Sequence, residues 1–131
     1  MNAFKLEVYA AGQNLELSGI VSFIGEDASG SFGLQAGHAR FMTVLEFGLA
    51  RFRAAGDDWQ FLALPGALLD FSRAGLWIGT RRFLLDRDYA RINRLLREQL
   101  QAEEQALHDT KASLRRMEEE LLRRLWQLDH G

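Results

Sequence analysis

Phe4-Lys5-Leu6-Glu7-Val8-Tyr9 is apolar at every second position, with charged side chains between. That period of two is the mark of a strand with one face in a core and the other in water. Leu15-Glu16-Leu17 repeats it just before Ser18-Gly19. Further short apolar runs follow at 20–24, 41–45, 49–52, 59–64, 67–71 and 76–78, each bounded by Gly, Asp or Ser. A helix would need apolar repeats at three and four residues, and these runs are too short to supply them. The spacing predicts eight to ten short strands in a β-sandwich or flattened barrel.

Glycine usage divides the chain in two. Glycines recur from Gly12 to Gly79, and the next is Gly131. Pro65, the only proline, lies in that stretch, and all nine phenylalanines precede Asp86. From about Asp86 onward the sequence is Leu, Arg, Glu, Gln and Ala, which are helix formers with no interior breaker. The expected organisation is mainly β plus α: a sandwich over 1–85 abutting a helical arm over 86–131, with no flexible linker. Tyr89, Ile92, Leu95, Leu96 and Leu100 mark one helical face. Leu100, Leu107, Leu114, Leu121 and Leu128 then keep a seven-residue spacing, but the intervening d-like positions are charged or polar, which weakens a coiled-coil reading. Glu103, Glu104, Asp109, Thr110 and Lys111 interrupt the stripe, and Asp109 or Thr110 offers a cap for a second helix. A helical hairpin and one long helix are both open at this level.

The 131 residues amount to one ordinary domain or a small domain with an appendage, enough to bury about two-thirds of the unfolded surface. Hydrophobic residues make up 47%, and the net charge of −2 makes no general electrostatic case for nucleic acid. Without cysteine there is no disulfide, thiolate metal site or cysteine nucleophile. No apolar run is long enough to span a bilayer, and no signal peptide or lipidation motif is present, so no direct membrane insertion is expected.

Catalytic chemistry finds little support. His38, His108 and His130 stand apart, with no HxH or HExxH spacing to make a metal centre. Gly30-Ser31-Phe32-Gly33-Leu34 lacks the GxxxxGK[ST] spacing of a phosphate loop and reads as turn glycines. Asp57-Asp58 reads as a turn, and Glu118-Glu119-Glu120 before Arg123-Arg124 as a solvated helix face. A hydrolase built on His38 and Asp27 lacks a third member. The residues therefore predict no catalytic site and no metal site.

The ordering of these features, with a glycine-histidine loop between early strands, resembles the epsilon subunit of F-type rotary ATP synthases (delta in mitochondria). Ser18-Gly19-Ile20-Val21 resembles the family's Ser-Gly-x-Val segment, and 29–39, ending Gly37-His38-Ala39, resembles its Pro-Gly-His-Ala signature. Phe47-Gly48-Leu49-Ala50-Arg51, Leu64-Pro65-Gly66-Ala67, Thr80 and the stretch 86–91 resemble later turns and the junction into the helices. Ala36 and Glu46 stand where prolines are usual, and Ser31 where many members carry a glutamate. The Ser-Phe-Gly-Leu wording is similar to the divergent alternate branch.

The resemblance implies a non-catalytic rotor subunit, peripheral at the cytoplasmic face of a bacterial inner membrane. Its sandwich would dock on the gamma subunit and the membrane c-ring, and Ser31, Phe32, Gln35 and His38 are the rim candidates. The arm would fold back or extend into the catalytic head and block ATP hydrolysis, with Arg115, Arg116, Arg123 and Arg124 meeting acidic residues there. In some bacterial members ATP stabilises the folded arm through an [I/L]-D-x-x-R-A motif; Arg87-Asp88-Tyr89-Ala90-Arg91-Ile92 retains Asp88 and Arg91, the candidates for a regulatory ATP. Asp86 or Asp88 as a simple helix cap explains the same residues. The alternative function is a free-standing β-sandwich interaction module that self-associates through its helical arm.

Overall fold

The opening alternation becomes β1 (Phe4–Ala10), in which Leu6 and Val8 are fully buried. The computed structural model describes residues 2–130, and side chains as far as residue 128. A tight turn at Gly12, whose φ of 75° suits glycine, leads into β2 (Gln13–Asp27). At 15 residues, β2 is too long to stay in one twisted sheet. It bends at Gly19, where φ is 73°, and the ladder register shifts between Phe4 and Leu6 on one side and between Ile20 and Ser22 on the other. Before the bend β2 pairs with β1; beyond it β2 pairs with β3 (Gly30–Leu34) and β5 (Gly48–Ala54).

The remaining strands complete the two layers. One layer runs from β2 through β1 to β8 (Gly75–Gly79), β7 (Ala67–Ser72) and β4 (Phe41–Leu45). The other runs β3, β2, β5, β6 (Gln60–Leu64) and β9 (Leu84–Asp86). β4 touches back on β2 at Asp27↔Leu45. Among the described residues only β1 and β8 run parallel, and every other pairing is antiparallel. Phe23 and Phe52, with Leu6, Val8, Leu62, Leu69 and Ile78, fill the interior between the layers, all fully buried.

The two sequence runs at 15–17 and 20–24 are thus one continuous strand, because Gly19 bends the chain without ending its pairing. The 30–34 segment, read as turn glycines, is β3. Gly25 faces Phe32 across the ladder, and a Cβ there would lie 3.1 Å from the Phe32 ring, so the bare glycine leaves room for that aromatic. β9, also unread in the sequence, adds a short edge to β6.

The arm is one helix and not a hairpin. Asp88 caps α1 (Tyr89–Leu95), a π-helical turn follows at Leu96–Leu100, and α2 (Gln101–His130) continues without a break. Thr110 donates its hydroxyl back to the Ala106 carbonyl at 2.9 Å, and Asp109 accepts from the Gln105 side chain at 3.1 Å. Both residues serve the turn before them, so neither caps a new helix. The side chain of His130 lies outside the described residues.

Gly75 and Gly30 have nearly the same φ, 122° and 120°, but different surroundings. A Cβ on Gly75 would lie 2.5 Å from the Lys5 carbonyl oxygen in β1, whereas one on Gly30 meets nothing within 4 Å. Gly30→Ala should cost about 1–3 kcal/mol in backbone strain alone. Gly75→Ala should cost about 1–3 kcal/mol more through the clash. Urea unfolding of both variants measures the difference.

Candidate functional site

β3 and the loop after it form the first candidate surface. β3 pairs only with β2 and lies at a sheet edge. Ser31 and Gly33 face solvent, while Phe32 turns inward, edge-on to Phe41 at 5.1 Å. Gln35 and His38 are exposed in the turn that follows, where Gly37 takes φ of 86° and the His38 amide donates to the Gln35 carbonyl at 3.1 Å. His38 Nδ1 lies 2.7 Å from the Ala39 carbonyl, and its ring meets Phe41 and Phe71 edgewise at 6.0 Å each. It lines an open cleft of about 830 Å³ with Phe4, Arg40, Phe71 and Arg73. Ser31 instead borders a hollow of about 300 Å³ with Glu26, Arg51, Phe61 and Tyr89.

Asp27 belongs to a separate local network. Its carboxylate accepts from the Ser29 hydroxyl at 2.5 Å, the Ser29 amide at 2.9 Å and the Thr43 hydroxyl at 2.7 Å. The hydrogen bonds from the Ser29 and Thr43 hydroxyls hold its pKa below the ordinary carboxylate value. Neither Asp27 nor His38 hydrogen-bonds the other, so the arrangement contains no acid–histidine pair for hydrolysis. No cluster of metal-ligating side chains occurs among the described residues.

The outer face of β4, β7, β8 and β1 is unexpectedly apolar. Val44 opposes Leu68, which is followed across the sheet by Gly79 and Tyr9. In the next row Met42 opposes Asp70, followed by Trp77 and Glu7. Val44, Met42, Tyr9 and Leu68 are all exposed, at 64, 54, 52 and 44%. The Trp77 ring lies over Gly79, where a Cβ would sit 2.4 Å from it. Sequence reasoning missed this face. The available signal was that 41–45 and 67–71 carry apolar residues at both inward and outward positions.

At the root of the arm, β6 is buried on both faces. Leu62 and Leu64 enter the core, while Ala63 lies on the other side beneath Ile92, Leu96 and Leu100. Ile92 and Leu100 are at most 1% exposed, and burial of such side chains stabilises by about 1.5–3 kcal/mol each. The π turn keeps Leu96 and Leu100 on the sheet-facing side, where a regular helix would rotate this four-residue series away. Arg81 pairs with Glu104 and Arg82 with Glu103, but all four are partly exposed, and such pairs contribute little by comparison. The junction is also tied to the strands: the Gln13 side chain donates to the Phe83 carbonyl at 3.3 Å, and the Thr80 hydroxyl donates to the Gly66 carbonyl at 2.7 Å.

Asp88 and Arg91 are brought together here with Asp86. Asp88 accepts from the Arg91 backbone amide at 3.1 Å, as a helix cap does. The Arg91 guanidinium forks onto Asp86, donating from Nε at 2.5 Å and from Nη2 at 2.7 Å. The Arg91 fork, with the Asp88 amide, pushes the Asp86 carboxyl far below its ordinary value. Beyond this root, Leu114, Met117, Leu121, Leu125 and Leu128 are exposed. Arg123 and Arg124 pair with Glu120 in their own helix, while Arg115 and Arg116 form no ion pair among the described residues. The arginines of the arm and the rim residues therefore form separate surfaces, not one pocket.

Residues 3–85 match the family described as ATP synthase, Delta/Epsilon chain, beta-sandwich domain. The chain belongs to this family. It is 35% identical over 112 residues to the ATP synthase epsilon chain 2 of Cereibacter sphaeroides, covering 85% of this chain and 77% of that one. Two solved structures share the fold. A chain of the Euglena gracilis mitochondrial ATP synthase (OSCP/F1/c-ring, rotational state 1) matches with a TM-score of 0.56 at 16% identity. That match covers 71% of this chain and 61% of that one. A chain of the Tetrahymena thermophila mitochondrial ATP synthase central stalk/c-ring matches with a TM-score of 0.54 at 14% identity, over 85% and 90%. As an epsilon-type ATP synthase chain this protein is a non-catalytic accessory subunit, and catalysis lies in other subunits.

Because the folded Asp86 carboxyl is acidified by Arg91, its contribution is present above the unfolded carboxylate pKa of about 4 and is lost as pH falls below that value. Asp86→Asn in this epsilon-type chain should lower the urea midpoint at pH 7. The gap from the parent protein should narrow on acidification toward pH 3, and a gap independent of pH would exclude the ion pair as its cause.

Proposed function

We propose that the chain is the central-stalk epsilon subunit of a membrane F-type ATP synthase, coupling ion translocation to ATP synthesis. The observation that carries this reading is a closed sandwich with one apolar outer face, joined through a buried root to a long helix whose far half is exposed. Residues 1–85 are the docking part and 86–131 the regulatory part. The apolar face of Met42, Val44, Leu68 and Trp77 seats on gamma. The edge carrying Ser31, Phe32, Gln35 and His38 meets polar loops of the c-ring.

The arm restrains ATP hydrolysis by reaching the catalytic head. Arg115, Arg116, Arg123 and Arg124 supply positive charge along the exposed outer half of α2. Asp88 and Arg91 serve as the clasp at its base. A regulatory ATP at Asp88 and Arg91, in the role of stabilising a folded arm, would have to displace the Asp86 carboxylate from Arg91 and the helix cap from Asp88. The bacterial relative supports a place on the cytoplasmic face of a bacterial inner membrane, held there by the complex; no described helix is long and apolar enough to cross a bilayer.

Two experiments separate the parts. Leu68→Asp on the exposed face should lower gamma binding at least tenfold in a titration with isolated gamma, leaving the unfolding midpoint within error; unchanged affinity would remove that face as the dock. Reversing Arg115 and Arg116 to Glu in the assembled enzyme should raise ATPase activity severalfold, as should truncation after His108, which spares the buried Ile92, Leu96 and Leu100. Unchanged activity in both would overturn the inhibitory role.

A further inference from the structure

The outer half of α2 is symmetric about Leu121. Met117 and Leu125 lie four residues to either side of it, and Leu114 and Leu128 seven. At about 100° per residue all five fall within about 40° of one line along the helix. All five are exposed, from 49% at Leu125 to 80% at Leu128. A seven-residue parallel seam is a poor account of this stripe, because Arg124 occupies the position where such a seam needs an apolar residue. An order that reads the same in both directions suits an antiparallel partner of identical sequence.

From this geometry we infer that the free subunit pairs with a second copy of itself through residues 114–128, antiparallel, with the two-fold axis at Leu121. Leu121 meets its own copy, Met117 meets Leu125 of the second copy, and Leu114 meets Leu128. The flanks fit as well. Glu120 and Arg124 lie on one edge of the stripe, about 100° and 60° from its centre. In the antiparallel pair, Glu120 of each copy comes within about 3 Å, along the axis, of both Glu120 and Arg124 of the other, so the two arginines also offset the approach of the two carboxylates. Two cross-helix ion pairs form where the single chain has the Glu120–Arg124 pair within one helix. On the opposite edge Leu122 faces its own copy and extends the apolar strip. The pairing is isologous, so it closes at two copies.

This inference concerns the unassembled subunit and does not rest on the role proposed for the arm in the enzyme. In the pair Arg115, Arg116 and Arg123, about 120–160° around the helix from Leu121, stay uncovered, and of the four arginines of the arm only Arg124 is engaged.

The chain has no cysteine, so single cysteines report the register directly. Leu121→Cys should oxidise to a disulfide-linked dimer. Leu114→Cys and Leu128→Cys alone should not, since identical positions then lie about 21 Å apart along the axis. A mixture of those two variants should cross-link to each other. Self-cross-linking of Leu114→Cys and Leu128→Cys as readily as Leu121→Cys would mean a parallel or non-specific contact and overturn the proposal. So would a monomer in sedimentation equilibrium of the parent chain up to about 100 µM, where even a weak dimer is populated; that result includes an arm that folds onto its own sandwich. Glu120→Arg and Arg124→Glu should each weaken self-association at least tenfold and restore it when mixed. Failure of the mixture to associate would overturn the ion-pair register. ATPase assays on the assembled enzyme read the arm's other role independently.

Discussion

The bend in β2 at Gly19 is the constraint on which the rest of the molecule depends. One strand supplies a pairing edge to both layers, so the angle at which it turns sets how the two sheets face each other. A left-handed φ of 73° is easy for glycine and costs about 1 kcal/mol or more for other residues. With the bend in place, β1 closes against β8 as a parallel pair, and Phe23 and Phe52 are enclosed between the layers. The sandwich is therefore rigid at its centre. What distinguishes its surfaces is the chemistry of the outward positions: apolar on β4, β7 and β8, polar along the β3 edge, and covered by the arm on β6.

The arm is two structures in one helix. Its first turns belong to the sandwich, because Ala63 offers a flat apolar surface that Ile92, Leu96 and Leu100 cover. The π turn, which places those side chains, sits where the helix must stay in register with the sheet. Farther out the helix continues on propensity and local pairs such as Glu120 with Arg123 and Arg124. An isolated helix of this kind is only marginally stable in water, so the outer half is completed by whatever covers its apolar stripe. The molecule is thus a rigid base carrying a lever whose apolar stripe is exposed.

Much of this was legible in the residues. The strand runs, the change in grammar near residue 85 and the glycine-histidine loop were enough to bring the rotary ATP synthase family into view. A helix cap at Asp86 or Asp88 was readable, and the structure selects Asp88. The partnership of Arg91 with Asp86 was not, because Asp86 lies at the end of β9, a three-residue strand with no period of its own. Nor was the outer apolar face visible, since a buried and an exposed valine or leucine are the same letter in a short run. Of the rim candidates, Phe32 faces inward, and Ser31 and His38 border different hollows, which residue type alone does not reveal.

By itself the sequence determined the class of structure: period-two runs can bury only one face each and must stack, and a breaker-free tail of Leu, Arg, Glu and Gln must be helical. Local chemistry also settled where the chain can turn, through glycines that alone accept positive φ cheaply. Tertiary structure decided the matters that depend on residues distant in sequence. It merged two short runs into β2, since both halves found partners across Gly19. It made 30–34 a strand, because β2 offered an open edge. It kept the arm a single helix, because Asp109 and Thr110 bonded backward to Gln105 and Ala106, leaving no competing cap to start a second one. It also joined the base of that helix to β6, through apolar contacts that neither segment could make alone.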